Sequence, residues 1–247
     1  MGNIYRQTFK LNDMYVDCHG RLKLSALLYC AQEVAGQHSN LLGADYDTLA
    51  DQNLFWAVTR HRVQITRLPQ RNETITVETW PMPTTRVAYP RSMVAFDSQG
   101  NELFRSISLW VLMDLESRTM VLPGKSGVTV EGTLTGSELA LPHSLMPKDL
   151  SNHTSRTVTY SYLDRNGHMN NTHYLDWVDD LLPSSFHSSH IAREFIICYH
   201  NEARENQQIS LDWQLTEDGC LQVDARREKT DVLNSQERVF SAQILFM

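Results

Sequence analysis

Leu163-Asp164-Arg165-Asn166-Gly167-His168-Met169-Asn170-Asn171 occurs twice in this chain, once with its chemistry and once without it. The plainer copy lies 147 positions earlier, as Val16-Asp17-Cys18-His19-Gly20-Arg21-Leu22-Lys23-Leu24. Asp17 pairs with Asp164, Gly20 with Gly167, Val16 with Leu163 and Leu22 with Met169. His19 and Arg21 stand where the later copy has Asn166 and His168, so only the later copy reads Asp-x-Asn-x-His. This pattern predicts a duplicated fold with one live active site.

The likeness continues on both sides of the motif. Leu24, Leu27, Leu28, Ala31, Val34 and Ala35 follow the first copy, and Tyr174, Leu175, Trp177, Val178, Leu181 and Leu182 the second. Both sets keep the i, i+3, i+4, i+7 spacing of an amphipathic helix, starting near Lys23 and near Asn170. Ser25 is the candidate cap of the first helix, and Asn170 or Asn171 of the second. At an offset of 134, Asn72, Ile75, Val77 and Glu78 meet Asn206, Ile209, Leu211 and Asp212. The shortfall matches an insert over 38–55 that has no counterpart. At an offset of 136, Phe104-Arg-Ser-Ile-Ser-Leu-Trp110 meets Phe240-Ser-Ala-Gln-Ile-Leu-Phe246. An ordered run of such matches is the mark of an internal repeat.

Each repeat therefore reads as an approach strand, a turn, one helix and several strands. Strands are predicted over 58–65, 74–80, 87–97 and 103–113, then over 195–200, 209–215, 220–226 and 239–247. Alternation such as Thr74-Ile75-Thr76-Val77-Glu78 supports them, and Ser98-Gln99-Gly100-Asn101 reads as a hairpin turn. One long helix per antiparallel sheet implies an α+β layout, each sheet wrapped around its helix. Residues 1–122 and 150–247 are the two repeats. The stretch 123–149 carries Gly124, Gly127, Gly132, Gly136, Pro142 and Pro147 and reads as the linker.

Composition bounds the rest. With 41% hydrophobic and 21% charged residues in 247, the chain is an ordinary globular one. Its longest apolar run, near 109–113, is far too short to span a bilayer. Met1-Gly2-Asn3-Ile4-Tyr5-Arg6 lacks the apolar core of a signal peptide, and Arg6 departs from the myristoylation pattern. Cys18, Cys30, Cys198 and Cys220 show no Cys-x-x-Cys spacing, so free thiols in a reducing cytoplasm are expected. A net charge of −7 argues against nucleic acid as a partner. An acidic protein partner would need a local basic patch, for which Arg60, Arg62, Arg67 and Arg71 are candidates. The plainer reading of those arginines is the solvent face of a strand.

Several chemistries lack their motifs. There is no Gly-x-Ser-x-Gly elbow. Gly124-Lys-Ser-Gly127 misses the upstream glycine of a phosphate loop, and Gly-x-Gly-x-x-Gly does not occur. His168 and His173 are five apart rather than four, so no metal site and no cofactor are expected. What remains is a carboxylate, an amide and an imidazole at alternate positions, Asp164, Asn166 and His168, before a helix. In an extended segment alternate residues share a side. A carboxylate can orient an imidazole, an amide can donate to an oxyanion, and a helix N-terminus adds free N–H groups. The bland alternative is a polar turn that caps its helix. Val16–Leu24 weighs against it, because that copy enters its helix without Asn or His.

Asp164-x-Asn166-x-His168-x-Asn170-Asn171-x-x-Tyr174 resembles the signature of the acyl-acyl carrier protein thioesterases, double-hotdog enzymes of plastids and bacteria. Phe55-Trp56-Ala57-Val58, Thr79-Trp80, and Ser108-Leu109-Trp110-Val111 followed by Met113-Asp114 are similar to the family's N-terminal hotdog. The likeness covers nearly the whole chain. The family's remaining acid sits in a stretch like Tyr-Arg-Arg-Glu-Cys-Gly. Here the run is Tyr199-His200-Asn201-Glu202-Ala203-Arg204, which puts Glu202 on the acid and Ala203 on the cysteine once proposed as nucleophile. A methyl group cannot attack a thioester, so the chemistry must run through water or a carboxylate. Cys198 reads as a packed core thiol.

The resemblance implies a tandem hotdog that hydrolyses fatty acyl thioesters of acyl carrier protein, the partner being that protein with its phosphopantetheine arm. Glu202 or Asp164 would be the general base, His168 its partner in positioning and proton transfer, and Asn166 the donor to the carbonyl or to water. The acyl chain would lie in the first repeat near Leu27, Trp56, Val58 and Trp80, residues that could equally be plain core. An acyl-CoA thioesterase, a dehydratase of the same fold and an idle acyl-binding protein stay open as alternatives. The intact Asp164, Asn166, His168 and Glu202 weigh against the last. No membrane insertion is expected, and a homodimer is an assembly the sequence leaves open.

Overall fold

The computed structural model describes residues 4–228 and 235–247. Met1-Gly2-Asn3 and the 229–234 part of the second repeat lie outside the described residues. The chain divides into two compact units, Met1–Pro142 and His143–Met247.

The first unit runs β1 (Tyr5–Lys10), α1 (Leu24–Leu41), α2 (Tyr46–Ala50), β2 (Leu54–Ile65), β3 (Thr74–Pro81), β4 (Tyr89–Phe96), β5 (Glu102–Asp114), β6 (Met120–Val121) and α3 (Pro123–Ser126). The second runs β7 (Asn152–Thr157), a 3₁₀ turn at Tyr160–Tyr162, α4 (His173–Asp179), α5 (Ser184–Ser189), β8 (Ala192–Tyr199), β9 (Gln208–Leu215), β10 (Cys220–Glu228) and β11 (Gln236–Phe246). Every strand expected from alternation is present, with ends moved by a few residues.

The strand order is β1-β3-β4-β5-β2 in the first unit and β7-β9-β10-β11-β8 in the second. Position by position these are the same antiparallel topology, which is what a duplication requires. The loops repeat as closely. Asp17 N–H donates to Arg21 O at 2.8 Å, as Asp164 N–H does to His168 O. Gly20 and Gly167 both sit at φ 75°, a left-handed conformation in which a side chain is strained. Asn72 and Asn206 are both left-handed, and their N–H groups reach Leu11 O and Val158 O.

In the first unit α1 buries Leu24, Leu27, Leu28, Ala31, Val34 and Ala35, the stripe expected from the spacing. Against it packs β3, whose Ile75 and Val77 are fully buried, and Ala95, Phe104 and Val63 of the neighbouring strands are fully buried too. Burying side chains of this size stabilises by roughly 1.5–3 kcal/mol apiece, opposed by chain entropy. The cap differs from expectation: Lys23 is the N-cap with no side-chain bond, and Ser25 is buried inside the first turn. The expected insert 38–55 is the end of α1, then α2 capped by Asp45.

The second helix is shorter than its apolar stripe implies. α4 has seven residues, and the chain breaks before Pro183, which cannot continue a helix, then resumes as α5. What α4 buries is large instead: Tyr174 and Trp177 are fully buried, and the Tyr174 ring lies 4.7 Å from Phe240 of β11. Most of the expected linker is also not a free connector. Tyr89 Oη contacts Ser126 Oγ at 2.8 Å, Thr133 N–H donates to Pro81 O, and Arg60 donates to Pro142 O. Val128 and Val130 pack on the Leu49, Leu54, Tyr89 and Leu112 cluster, so apolar residues among the breakers hold 123–142 to the first unit.

Candidate active site

The motif segment is not extended, as alternate spacing suggested, but a tight loop. Leu163 and Met169 bridge across it, and Gly167 N–H closes on Asp164 O at 3.0 Å. The Asp164 carboxylate braces the loop from within, Oδ1 accepting from Asn166 N at 2.8 Å and, more weakly, from His168 N at 3.5 Å. Asp17 does the same for His19 N and Arg21 N, at 2.8 and 2.9 Å. The loop therefore needs its aspartate in both copies, with or without chemistry. Asn166 is exposed, its amide 3.5 Å from Asp164 Oδ2.

The loop after β8 supplies the other half. Met169 N–H donates to Ala203 O at 2.8 Å, and His168 pairs with Arg204 as an antiparallel bridge. That pairing sets the Glu202 carboxylate beside the imidazole, with His168 Nε2 3.0 Å from Glu202 Oε2. His168 is buried, whereas the Glu202 side chain is 40% exposed and open to water. A residue that sequence reasoning passed over holds this loop: Arg227 of β10 donates to the Glu202 carbonyl and to Gln207 Oε1, while pairing with Glu237 at 2.7 Å. Nothing in the sequence marks it, because it lies on a later strand.

The structure thus brings together His168 and Glu202. It gives Asp164 a bracing role and leaves Asn166 at the surface beside it. The expected free helix N-terminus is not available: α4 is too short, and Thr172 N and His173 N donate to Asn170 Oδ1 and Asn170 O. Leu27, Val58 and Trp80 are buried in the first unit. Trp56 is partly buried, its indole N–H donating to Ala44 O at 2.9 Å. Ala203 is wholly buried, and Cys198 is a core thiol whose Sγ lies 3.7 Å from His143 O. The arginines weighed as a basic patch are engaged within the chain, Arg67 by Glu73, Arg71 by Asp13 and Arg60 by Pro142 O. Arg60 and Arg62 lie on β2, whereas Arg67 and Arg71 follow its end, so the face of a strand describes only the first two.

Comparison with known proteins agrees with this layout. Residues 2–122 match the family model for the acyl-ACP thioesterase N-terminal domain, and residues 146–242 the one for the C-terminal domain. A chloroplastic palmitoyl-acyl carrier protein thioesterase of Gossypium hirsutum is 24% identical over 81% of this chain and 52% of its own length. A chloroplastic dodecanoyl-[acyl-carrier-protein] hydrolase of Cinnamomum camphora is 25% identical over 81% of the chain and 56% of its own. The chain thus spans about half the length of the curated relatives it matches. The crystal structure of an acyl-ACP thioesterase from Bacteroides thetaiotaomicron has a TM-score of 0.87 at 23% identity, over 99% of this chain and 98% of that one. The 12:0-ACP thioesterase of Umbellularia californica gives 0.83 at 21%, over 100% and 98%. At these identities the structural likeness speaks for the fold, the tandem hotdog.

Proposed function

The chain belongs to the acyl-ACP thioesterase family, and from that premise we propose that it hydrolyses the thioester of fatty acyl-acyl carrier protein to free fatty acid and carrier protein. The observation that carries this reading is the pair His168 and Glu202, 3.0 Å apart, with the carboxylate open to water.

Glu202 is the general base in this proposal. Its carboxylate takes a proton from water as the water oxygen bonds to the thioester carbon, and His168 holds the carboxylate through Nε2. Asn166, exposed on the same loop, donates to the carbonyl oxygen as it gains charge. The C–S bond then breaks, and the departing thiolate, of ordinary pKa near 8.5, takes up a proton with little help. No covalent acyl-enzyme is involved, since Ala203 stands at the cysteine position. Asp164 shapes the loop and does not act on water.

The acyl chain is proposed to lie in the first unit, along Leu27, Trp56 and Val58, and the partner is carrier protein presenting its phosphopantetheine arm. Trp80, expected with them, is on the opposite face of the sheet, its indole N–H donating to Glu138. Among the described residues no helix is long and apolar enough to cross a membrane. Action in the cytoplasm is part of the proposal, supported by four free cysteines.

The test is turnover of purified chain on carrier-protein and coenzyme A thioesters of the same acyl groups, from medium to long chains. Release of free fatty acid, faster from carrier protein and lost in Glu202→Gln, is expected. Faster hydrolysis of the coenzyme A thioesters would replace this reading by an acyl-CoA thioesterase. Binding without turnover of either would make the chain an acyl-binding protein.

A further inference from the structure

The inner face of the first unit's sheet changes character partway along. Directly opposed residues of an antiparallel sheet share a face, so each cross-strand row can be read from the register. Val77, Ala95, Phe104 and Ile65 form an apolar row. The next row is Thr79, Met93, Ser106 and Val63, and the one after it is Pro81, Arg91, Ser108 and His61. Tyr89, Trp110 and Val58 then restore apolar character. A polar band thus crosses the sheet beneath the last turn of α1, between two apolar clusters.

Arg91 is the centre of that band. Its Nη1 donates to His38 Nδ1 at 3.1 Å and to Thr79 Oγ1 at 3.3 Å. His38 is buried, and Tyr5 stacks on it at 5.8 Å. Because a guanidinium only donates, His38 must present a lone pair and is neutral. Burial and Arg91 accordingly hold its pKa down, to about 4. Burial draws Arg91 down to about 10, so it remains a cation at neutral pH. Both partners are therefore uncharged, and among the described residues no carboxylate pairs with Arg91. Its Nε and Nη2 make no hydrogen bond there, yet neither is sealed from solvent. Those two atoms form the fork of a guanidinium that matches the two oxygens of a carboxylate. A half-buried cation with its fork free is costly unless an anion meets it.

We propose that Arg91, set by His38 and Thr79, is a carboxylate-binding site inside the first unit, taking the carboxylate of a fatty acid whose chain lies on the adjoining apolar rows. Two sources present this chemistry: the head group of a free fatty acid, and the far-end carboxylate of a dicarboxylic acyl chain. The site is independent of thioester hydrolysis and is tested by binding.

Calorimetric titration of the full chain with decanoate, the monomethyl ester of decanedioate and methyl decanoate separates these cases. Decanoate binding roughly 10- to 100-fold tighter than methyl decanoate is expected for a head-group site. The same preference shown only by the decanedioate monoester assigns the far-end carboxylate. Arg91→Met removes either preference. Methyl decanoate binding as well as both acids overturns the site, and so does an acid preference that survives in Arg91→Met, since the carboxylate is then held elsewhere. Should Arg91→Met fail to fold, the Arg91 Nε–Hε resonance of the wild type decides: a shift with an acid and not with methyl decanoate supports the site, and no shift overturns it.

Discussion

His168 Nε2 and Glu202 Oε2 meet at 3.0 Å because two backbone contacts, Met169 N–H to Ala203 O and the His168–Arg204 bridge, clamp their loops together. The same clamp exists in the first unit, where Leu22 N–H donates to Pro69 O and Arg21 bridges Gln70. There the corresponding residues are Arg21 and Leu68, and no acid–imidazole pair results. The two units share the clamp, and only the second carries an acid–imidazole pair on it.

Glu202→Gln keeps the side-chain shape and a hydrogen-bonding oxygen but removes the base. Turnover should fall by roughly a hundredfold or more, with melting temperature close to wild type. His168→Ala should fall comparably, whereas Arg21→Ala and Leu68→Ala should leave chemistry intact apart from any folding defect. Steady-state rates beside thermal melts check this, and a Glu202→Gln enzyme with near-normal turnover removes Glu202 from the mechanism.

Asp164 and Asp17 separate bracing from catalysis. Asp164→Asn retains the Oδ1 acceptor for Asn166 N, so it should keep most of the turnover. Asp164→Ala and Asp17→Ala should each lose about 1 kcal/mol of stability, the typical net worth of such bonds. Chemical denaturation with parallel rate measurement reads both effects. Turnover abolished in Asp164→Asn would make Asp164 the base after all.

Gly167 and Gly20 test the loop backbone. No atom lies within 4 Å of a Cβ built on Gly167, and the nearest to one on Gly20 is 3.9 Å away. The cost of alanine is therefore the positive φ alone, about 1 kcal/mol at either site. Equal destabilisation with a rate loss only in Gly167→Ala is expected from melts and turnover.

The thiols should be silent in catalysis. Cys18 is exposed while Cys30, Cys198 and Cys220 are buried, and burial pushes the Cys30 thiol up to about 12. Native alkylation should label Cys18 alone, by mass, and leave turnover unchanged. Ala203→Cys should give no large gain, since that position is wholly buried. An acyl group trapped on any cysteine would overturn the water mechanism.

Stability should fall on acidification through two buried histidines. Burial lowers His61 to about 4, and burial with Arg91 lowers His38 to about 4, from an ordinary 6.5. Below pH 6.5 the unfolded chain binds protons that the folded one refuses, so stability is full above that pH and drains away down to about pH 4. The loss is about 3 kcal/mol at most for the fully buried His61, and smaller for His38, which solvent screens more. Urea midpoints from pH 7 to 4.5 measure the slope, which His61→Gln should flatten.

What the sequence determined by itself was periodic or repeated. Alternation located the strands, the 3.6-residue stripe located α1, and Asp17 against Asp164 with Gly20 against Gly167 exposed the duplication, because a turn needing a brace and a left-handed residue must spell them each time. The length of α4 was not legible, since an apolar stripe continues through Leu181 and Leu182 while the helix already stops at Asp179. Spacing also misled at Asp164, Asn166 and His168: a loop folded back on itself does not present alternate residues together, and its aspartate is consumed by backbone amides. Only tertiary structure decided which carboxylate reaches His168, because Glu202 arrives through β8 and a cross-loop backbone pairing that leaves no local trace. The same holds for Arg227 at the Glu202 carbonyl and for Arg91 in its polar band, whose partners come from other strands and from α1.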